Sequence, residues 1–489
     1  MSDAKINFFD FNGSKLVLKK LRLFIDNFII YGFGGIISKV IPLLMVPIVT
    51  RLVSDTGYYG LSDLSATIVS FGSSIAVMGM YDALFRLFFE EDSLAYQKSL
   101  CSTAFIFTVI TSIIICMVML LEKEKISNLF YGNSEYSYLI YICAITTLVS
   151  STNNIVAAPT RVQNKRAIYL LANCISPILS YSISIPLLLK GYFITALPLA
   201  TAVSSLLIEI SFYVMNRKWF SFKRFDYQLL RQLLMIGLPL VPNILIYWIF
   251  NSSDKIMITN LIGIDAAGIY AVSSKMGHMS QLIYTAFAGG WQYFAFSTMK
   301  EKKQVENNSK VFEGLGGVSF AAIILFSAFS YYFFKLLFSS EYLLGYKAAS
   351  YLFAAPLLQM LYQVSVSQFM IIKKTWPNMI ILSFGAVVNI ALNLLLIPRI
   401  GIEGAAIATL AGYLVSDIIC AVVLIKMKLM VIRRKFLIAC LITMIYMIAW
   451  KFYFADMIYL GIIASMFAVA GIFYLYKDDL LVVKRMLIE

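Results

Sequence analysis

Long apolar runs recur along this 489-residue chain and leave it little choice of fold. One of them, FIFTVITSIIICMVMLL from Phe105 to Leu121, carries no charge at all. A helix needs about 20 mainly apolar residues to cross a bilayer. Backbone groups in hydrocarbon must satisfy one another, which restricts a spanning chain to helices or a closed barrel. A barrel would alternate in polarity over segments of about ten residues, and these runs are continuous. Only 13% of the residues are charged, against about 25% in soluble domains, too few to coat water-soluble globules. The expectation is an all-α integral membrane protein with fourteen spans, near residues 24–49, 61–84, 99–121, 136–158, 167–189, 192–215, 229–250, 267–290, 312–336, 346–371, 377–398, 402–425, 433–453 and 456–476. The connections are too short for a soluble domain.

Orientation follows from the basic residues. Of the 40 lysines and arginines, 29 fall on one set of alternate connections, nine on the other set and two, Lys39 and Lys275, within spans. Positive charge marks the cytoplasmic face, so both termini are expected there. The net charge of +14 is then topogenic and does not imply a nucleic-acid partner. The first 23 residues are basic and mixed, with no signal-peptide pattern; Ser14 to Phe24 reads equally as a surface amphipathic stretch or a positive anchor. The six cysteines all lie in apolar segments without CxxC or metal spacing, so neither a disulfide framework nor a metal site is indicated.

The chain also repeats itself. A shift of 208 residues superimposes Gly60 on Gly268, Lys165-Arg166 on Lys373-Lys374, Leu187-Leu188 on Leu395-Leu396, Ala200-Thr201 on Ala408-Thr409 and Glu209 on Asp417. An even number of spans separates the copies, so they insert in parallel about an axis along the membrane normal. The expected organisation is a basic N-terminal segment (1–23), a six-helix bundle (24–215), a cytoplasmic linker (216–228), a second six-helix bundle (229–425), an added transmembrane hairpin (433–476) and a cytoplasmic tail (477–489).

Candidate chemistry lies on polar helix faces. Asn243, Tyr247, Asn251 and Asp254 share one face of span 7, and Lys275, His278, Gln281 and Thr285 one face of span 8. Asn27, Tyr31, Gly35 and Lys39 recur on span 1, and Gln359, Tyr362, Gln363 and Ser367 lie on span 10. Uncharged members serve equally as hydrogen-bonding glue between helices. An intramembrane charge costs at least about 2.5–3.5 kcal/mol, so Lys39 and Lys275 are the stronger cavity candidates. The cavity set is Lys39, Lys275, His278, Asn243, Tyr247, Asn251, Gln359 and Gln363. Gate or helix-end charges are Arg51, Asp82, Arg86, Asp254 and Lys255, with Asp82 and Arg86 at ion-pair spacing. Glu209 and Asp417 are candidates for ion coupling or for a shared structural role. The eleven prolines all lie in or at the ends of spans. Pro42 and Pro47 in span 1 and Pro239 and Pro242 in span 7 mark the first helix of each half as bendable. No nucleotide, metalloprotease or dinucleotide motif is present, so no cofactor and no catalytic residue is expected. GLGGVSF, from Gly314 to Phe320, reads as close helix packing.

Three stretches carry a resemblance. They are IPLLMVPIVTRLVSDTGYYGLSDL (Ile41 to Leu64), YDALFRLFFEED (Tyr81 to Asp92) and IGLPLVPNILIYWIFNSSDKIMITNLIGIDAAGIYAVSSKMGHM (Ile236 to Met279). The chain resembles the Wzx-type polysaccharide flippases of the MOP superfamily, which also holds the MATE exporters and the lipid II flippases. The resemblance spans residues 24 to 425. It implies two facing bundles, alternating access, and a lipid-linked (polyprenyl-diphosphate) oligosaccharide as cargo for surface polysaccharide (O-antigen or capsule) synthesis at the bacterial inner membrane. It further implies a cationic cavity, with Lys39 and Lys275 matched to it, contact with membrane lipids, H+ or Na+ as coupling ion, and polysaccharide-assembly proteins as partners. The alternatives are a MATE-like cation-coupled antiporter, which would favour an acidic cavity, a membrane-bound glycan polymerase, which would favour a large outer loop, and a structural scaffold.

Overall fold

The computed structural model describes residues 39–163, 165–374 and 376–488. The basic N-terminal segment and the start of span 1, with Asn27, Tyr31 and Gly35, lie outside the described residues. Helix α1 covers residues 39–52. Span 2 is built from α2 (Thr56–Val77) and α3 (Met80–Phe88), and spans 3 to 6 from α4 (Leu94–Leu121), α6 (Leu139–Val162), α7 (Arg166–Leu189) and α8 (Ala196–Asn216); the short α5 (Lys123–Tyr131) lies between α4 and α6. Span 7 comprises α9 (Tyr227–Gly237) and α10 (Val241–Ile262), and span 8 comprises α11 (Ile264–Gly277) and α12 (Gln281–Ser297). Then follow α13 (Gln304–Leu337), α14 (Gly345–Leu352) with α15 (Ala354–Ile371), α16 (Trp376–Lys426), α17 (Arg434–Ala449) and α18 (Ile458–Ile488). Helix α16 holds two predicted spans, joined where Ile400 and Gly401 leave helical geometry, Gly401 at φ 62°. Helices thus cover the described part of all fourteen predicted spans, and ten are long and apolar enough to cross a membrane.

Local chemistry sets the ends and breaks. The Asp55 carboxylate accepts the Gly57 N–H at 2.9 Å and starts α2. Asp226 accepts from Gln228 and Leu229 at 2.7 and 3.2 Å and starts α9. Side-chain oxygens at these positions satisfy donors that the first turn leaves open. Span 7 breaks at a tight turn over Leu238–Leu240, where Pro239 and Pro242 withhold backbone donors. The described part of α1 runs as unbroken helix through Pro42 and Pro47. Span 2 breaks without proline, at Met78 (φ 47°) and Gly79 (φ 70°). The cause is tertiary: a Cβ on Gly79 would come within 2.5 Å of the Gly237 carbonyl oxygen. The two breaks therefore touch.

The two copies of the repeat meet face to face through α2 and α11. A Cβ on Gly60 would lie 2.9 Å from the Gly268 nitrogen, and one on Gly268 only 1.8 Å from the Thr56 carbonyl oxygen. Gly60 and Gly268 are the superimposed pair in the 208-residue repeat. Equivalent residues can touch only close to the axis relating their copies, so this contact locates the pseudo-twofold. Farther from it, α9 packs on α3 and α4 in a separate apolar cluster with Met80, Leu84, Leu100, Leu229 and Leu233. Helix α10 begins after the Leu238–Leu240 turn.

The final hairpin is fastened to the second half. Phe436 covers Gly316 and Tyr476 covers Gly317, where a Cβ would meet those rings at 2.3 and 3.0 Å. This is the close packing read from GLGGVSF. Arg433 pairs with Glu313, whose side chain is 1% exposed. At the opposite end Lys451 pairs with Glu403 at 2.9 Å and Lys347 with Asp456 at 3.2 Å.

Candidate functional site

Beside the glycine contact, a charged cluster joins the two halves. Asp63 projects from α2, one turn beyond Tyr59. Opposite it stand Lys255 of α10 and Lys275 of α11. Lys255 Nζ lies 2.7 Å from Asp63 Oδ2, with the two side chains 17% and 10% exposed. Lys275 Nζ lies 3.7 Å from Asp63 Oδ1 and donates to Tyr59 Oη at 2.7 Å. Its ammonium also sits 4.7 Å from the centre of the Tyr59 ring, an attractive placement over the ring's negative face. One carboxylate thus holds two ammonium groups, and the cluster carries one net positive charge. Further contacts close this end: Arg51 donates to the Leu336 carbonyl at 2.9 Å, Tyr342 to the Val53 carbonyl at 3.1 Å, and Asn260 to the Leu129 carbonyl at 2.7 Å.

The cluster is the end wall of a cavity of about 450 Å³, framed by α1, α2, α6, α7 and α8 of the first half. Hydroxyl groups dominate its polar lining: Ser62, Ser65, Ser70 and Ser73 from α2, Thr146 and Ser150 from α6, Ser180 and Tyr181 from α7, and Thr201 from α8, with Asn154. Its charged lining residues are Asp63 and Lys275, and Lys275 is the one lining residue from the second half. Several of these hydroxyls lean on their own helix: Ser65 donates to the Leu61 carbonyl at 2.7 Å and Thr146 to the Ile142 carbonyl at 2.7 Å. A hydroxyl-lined hollow whose one lysine stands 3.7 Å from its carboxylate suits a polyhydroxylated ligand, with Lys275 available to a negative group.

The second half holds a closed polar network instead. Asp254, 4% exposed, accepts from Tyr270 Oη, from the Lys255 N–H at 2.8 Å and from Thr409 at 3.4 Å. Asn389 donates to Thr409 at 3.2 Å, and Asn393 to Asn389 at 3.3 Å.

The cluster brings together two predicted residues, Lys255 and Lys275, and adjoins a third, Asp254. Lys39 reaches across the halves, donating to Thr285 at 3.0 Å, and does not line the cavity. His278 is satisfied by its own helix: its Nδ1 lies 2.6 Å from the Ser274 carbonyl. Asn243, Tyr247, Asn251, Gln359 and Gln363 lie outside the cavity lining. Asn251 bonds back to the Tyr247 carbonyl at 2.7 Å, and the side-chain oxygens of Asn243 and Gln363 are buried without partners. Arg51 closes the outer contact described above. Asp82 and Arg86 are exposed and form no ion pair. Glu209 accepts from Thr152, whereas both oxygens of Asp417 are buried without a partner. Sequence reasoning missed Asp63, Tyr59 and the hydroxyl stripes of α2 and α6. The signal for Asp63 was present: an acid two residues inside a predicted span.

Comparison with known proteins follows this geometry. The family model described as polysaccharide biosynthesis protein matches residues 48–345. An Lsg locus protein of Haemophilus influenzae is 21% identical over 291 residues, which cover 58% of this chain and 69% of that protein. Among solved structures, the lipid II flippase MurJ in an inward closed conformation superimposes with a TM-score of 0.73 at 15% identity, covering 92% of this chain and 100% of its own. An inward-facing multidrug resistance MATE family transporter of the MOP superfamily gives 0.60 at 15% identity, covering 81% and 98%. These two likenesses are of fold.

Proposed function

We infer the function of this chain from its family: it belongs to the polysaccharide biosynthesis proteins. In our reading it is a flippase that carries a lipid-linked oligosaccharide, held on a polyprenyl diphosphate, from the cytoplasmic to the outer face of a bacterial inner membrane. The observation that carries this is the hydroxyl-lined cavity ending in Asp63 and Lys275. A glycan diphosphate headgroup cannot cross about 30 Å of hydrocarbon unaided. A polar hollow inside the protein replaces its hydration shell while the polyprenyl tail stays in lipid. The fold shared with a lipid II flippase supports the same reading.

The charge cluster supplies the alternating step. It holds the halves together at the end that the basic-residue bias assigns to the outside. Opening there separates Asp63 on one half from Lys255 and Lys275 on the other. Cargo must bind the two states with comparable affinity, or it would trap one of them. An anionic cargo group can replace Asp63 as the partner of Lys275, the longer of the two contacts, and so lower the cost of opening. Cation or proton coupling would fall to Asp254, Glu209 or Asp417, carboxylates within single halves that form no ion pair among the described residues.

The MATE-like antiporter reading shares the fold but calls for an acidic cavity, and this one carries a lysine against its single carboxylate. The test is deletion of the gene in a strain without a redundant transporter. Loss of surface glycan with accumulation of its lipid-linked precursor on the cytoplasmic side is expected. Normal surface glycan with no accumulation would refute the reading.

A further inference from the structure

A second cationic site lies on the membrane face opposite the Asp63 cluster. Arg161, on α6, is exposed. Its guanidinium carbon stands 5.7 Å from the ring centre of Tyr81, 5.2 Å from that of Phe85 and 5.5 Å from that of Tyr169. It donates to Tyr81 Oη. The three rings come from two other helices, α3 and α7, and α3 is brought there by the break at Met78–Gly79. No carboxylate lies within ion-pair distance of Arg161 among the described residues. The nearest acid in sequence on α3, Asp82, is exposed and unpaired.

The place of this clamp points to a ligand. On α6 the cavity-lining face runs through Thr146, Ser150 and Asn154, and Arg161 lies seven residues farther on the same face. On α7, Ser180 lines the cavity and Tyr169 lies eleven residues away, three full turns, again on one face. Seven residues of helix rise about 10 Å. The clamp therefore continues the cavity-lining faces of α6 and α7, about two turns beyond Asn154, on the side where the basic-residue bias places the cytoplasm. A guanidinium that merely glued helices together would be buried among its rings. This one is exposed, with three rings around its guanidinium carbon and one hydrogen bond, to Tyr81 Oη, using one of its five N–H donors. A planar, preoriented fork matches phosphate oxygens, and the flanking ring faces suit the sugar next in line.

We propose that Arg161, held by Tyr81, Phe85 and Tyr169, is the entry subsite for the diphosphate group of the cargo. This rests on the flippase reading and adds a position for the headgroup at the start of its path, distinct from the Asp63 cluster at the far end. The test is binding to the full chain in phosphatidylcholine nanodiscs, titrated with a short polyprenyl diphosphate, the matching polyprenol, and inorganic pyrophosphate. The wild type should bind the polyprenyl diphosphate and not the polyprenol. Binding of pyrophosphate alone at similar strength would identify a soluble phosphate site and overturn the assignment. Arg161→Ala should weaken polyprenyl diphosphate binding roughly ten- to hundredfold, the loss of charged hydrogen bonds. Arg161→Lys, which keeps charge and folding but not the fork, should fall between. Lys223→Ala, an exposed charge on the same face, should bind as wild type. Unchanged binding by Arg161→Ala, or an equal loss with Lys223→Ala, overturns the proposal. A wild type that exports glycan normally while Arg161→Ala binds undiminished would sink this subsite and leave the flippase reading standing.

Discussion

Replacing Asp63 with asparagine removes one charge and almost no volume, so its effect reports the ion pairs alone. At 2.7 Å and an effective dielectric of about 20, the attraction to Lys255 is roughly 6 kcal/mol before desolvation. Lys275 adds less, being 41% exposed at 3.7 Å. Desolvation offsets much of this, but removing one partner of a largely buried pair typically costs about 3–5 kcal/mol, because the other charge is stranded. The low end applies, since Lys255 keeps 17% exposure. Asp63 lies on one half and both lysines on the other, so the cost falls on the state in which these ends touch. About 3 kcal/mol multiplies the ratio of parted to joined molecules by about two orders of magnitude. Spin labels at Lys125 (82% exposed) on the first half and Glu341 on the second, with the six cysteines replaced, would measure the separation. The wild type should give mainly a short distance, and Asp63→Asn a long-distance population. An unchanged distribution in Asp63→Asn would mean that these pairs do not hold the halves together.

Three other outcomes follow from the packing. Gly268→Ala, whose new carbon would stand 1.8 Å from the Thr56 carbonyl, should also favour the parted state in the same spin-label measurement, while alanine at Gly191, which has open space but a left-handed backbone, should leave the distances alone and lower only thermal stability. Glu313→Gln should lower the melting temperature in detergent only modestly, because it removes the buried partner of Arg433 at the root of the hairpin while Arg433, 39% exposed, keeps Asp479 at 3.6 Å; an unaltered melt would show that Gly316 and Gly317 packing suffices. Asp417→Asn should fold as well as wild type, since neither carboxylate oxygen has a partner to lose; transport that keeps its full dependence on a proton gradient in this variant would remove Asp417 from coupling.

The helices were legible because each run of hydrophobic residues is long and nearly free of charge, and the lysine and arginine bias told neighbouring connections apart. Breaks were legible only where proline made them. Pro239 and Pro242 announce the turn in span 7, but the break in span 2 arises because Gly237, 158 residues away, presses on Gly79, and nothing local records that. The same limit hid the site. Lys275 was found because a charge in a span must be explained, whereas Asp63, two residues inside its span, drew no notice until Lys255 and Lys275 stood opposite it. His278 shows the converse. Its position in a polar stripe suggested a cavity, and its own helix had already satisfied it at Ser274. Arg161 was counted as a topogenic charge, which says where it sits and not what surrounds it.

The repeat explains why charge and hollow belong to different halves. At the offset of 208, the cavity-lining positions Val46, Ser62, Tyr181 and Thr201 correspond to Asp254, Tyr270, Asn389 and Thr409. In the first half these positions border open space. In the second, the same four places are filled by side chains that bond to Asp254 and to one another. The same four positions thus border space in one half and form a bonded polar cluster in the other. The second half contributes Lys275 to the lining of the first half's hollow, while Lys255 holds the Asp63 carboxylate. The cavity belongs to one half and its lysine to the other, so parting the halves at this end would withdraw Lys275 from a lining whose other charge is Asp63. Under the flippase reading, an anionic headgroup bound there would keep Lys275 partnered as Asp63 moves away, and the strength of the charge cluster sets the cost of that exchange.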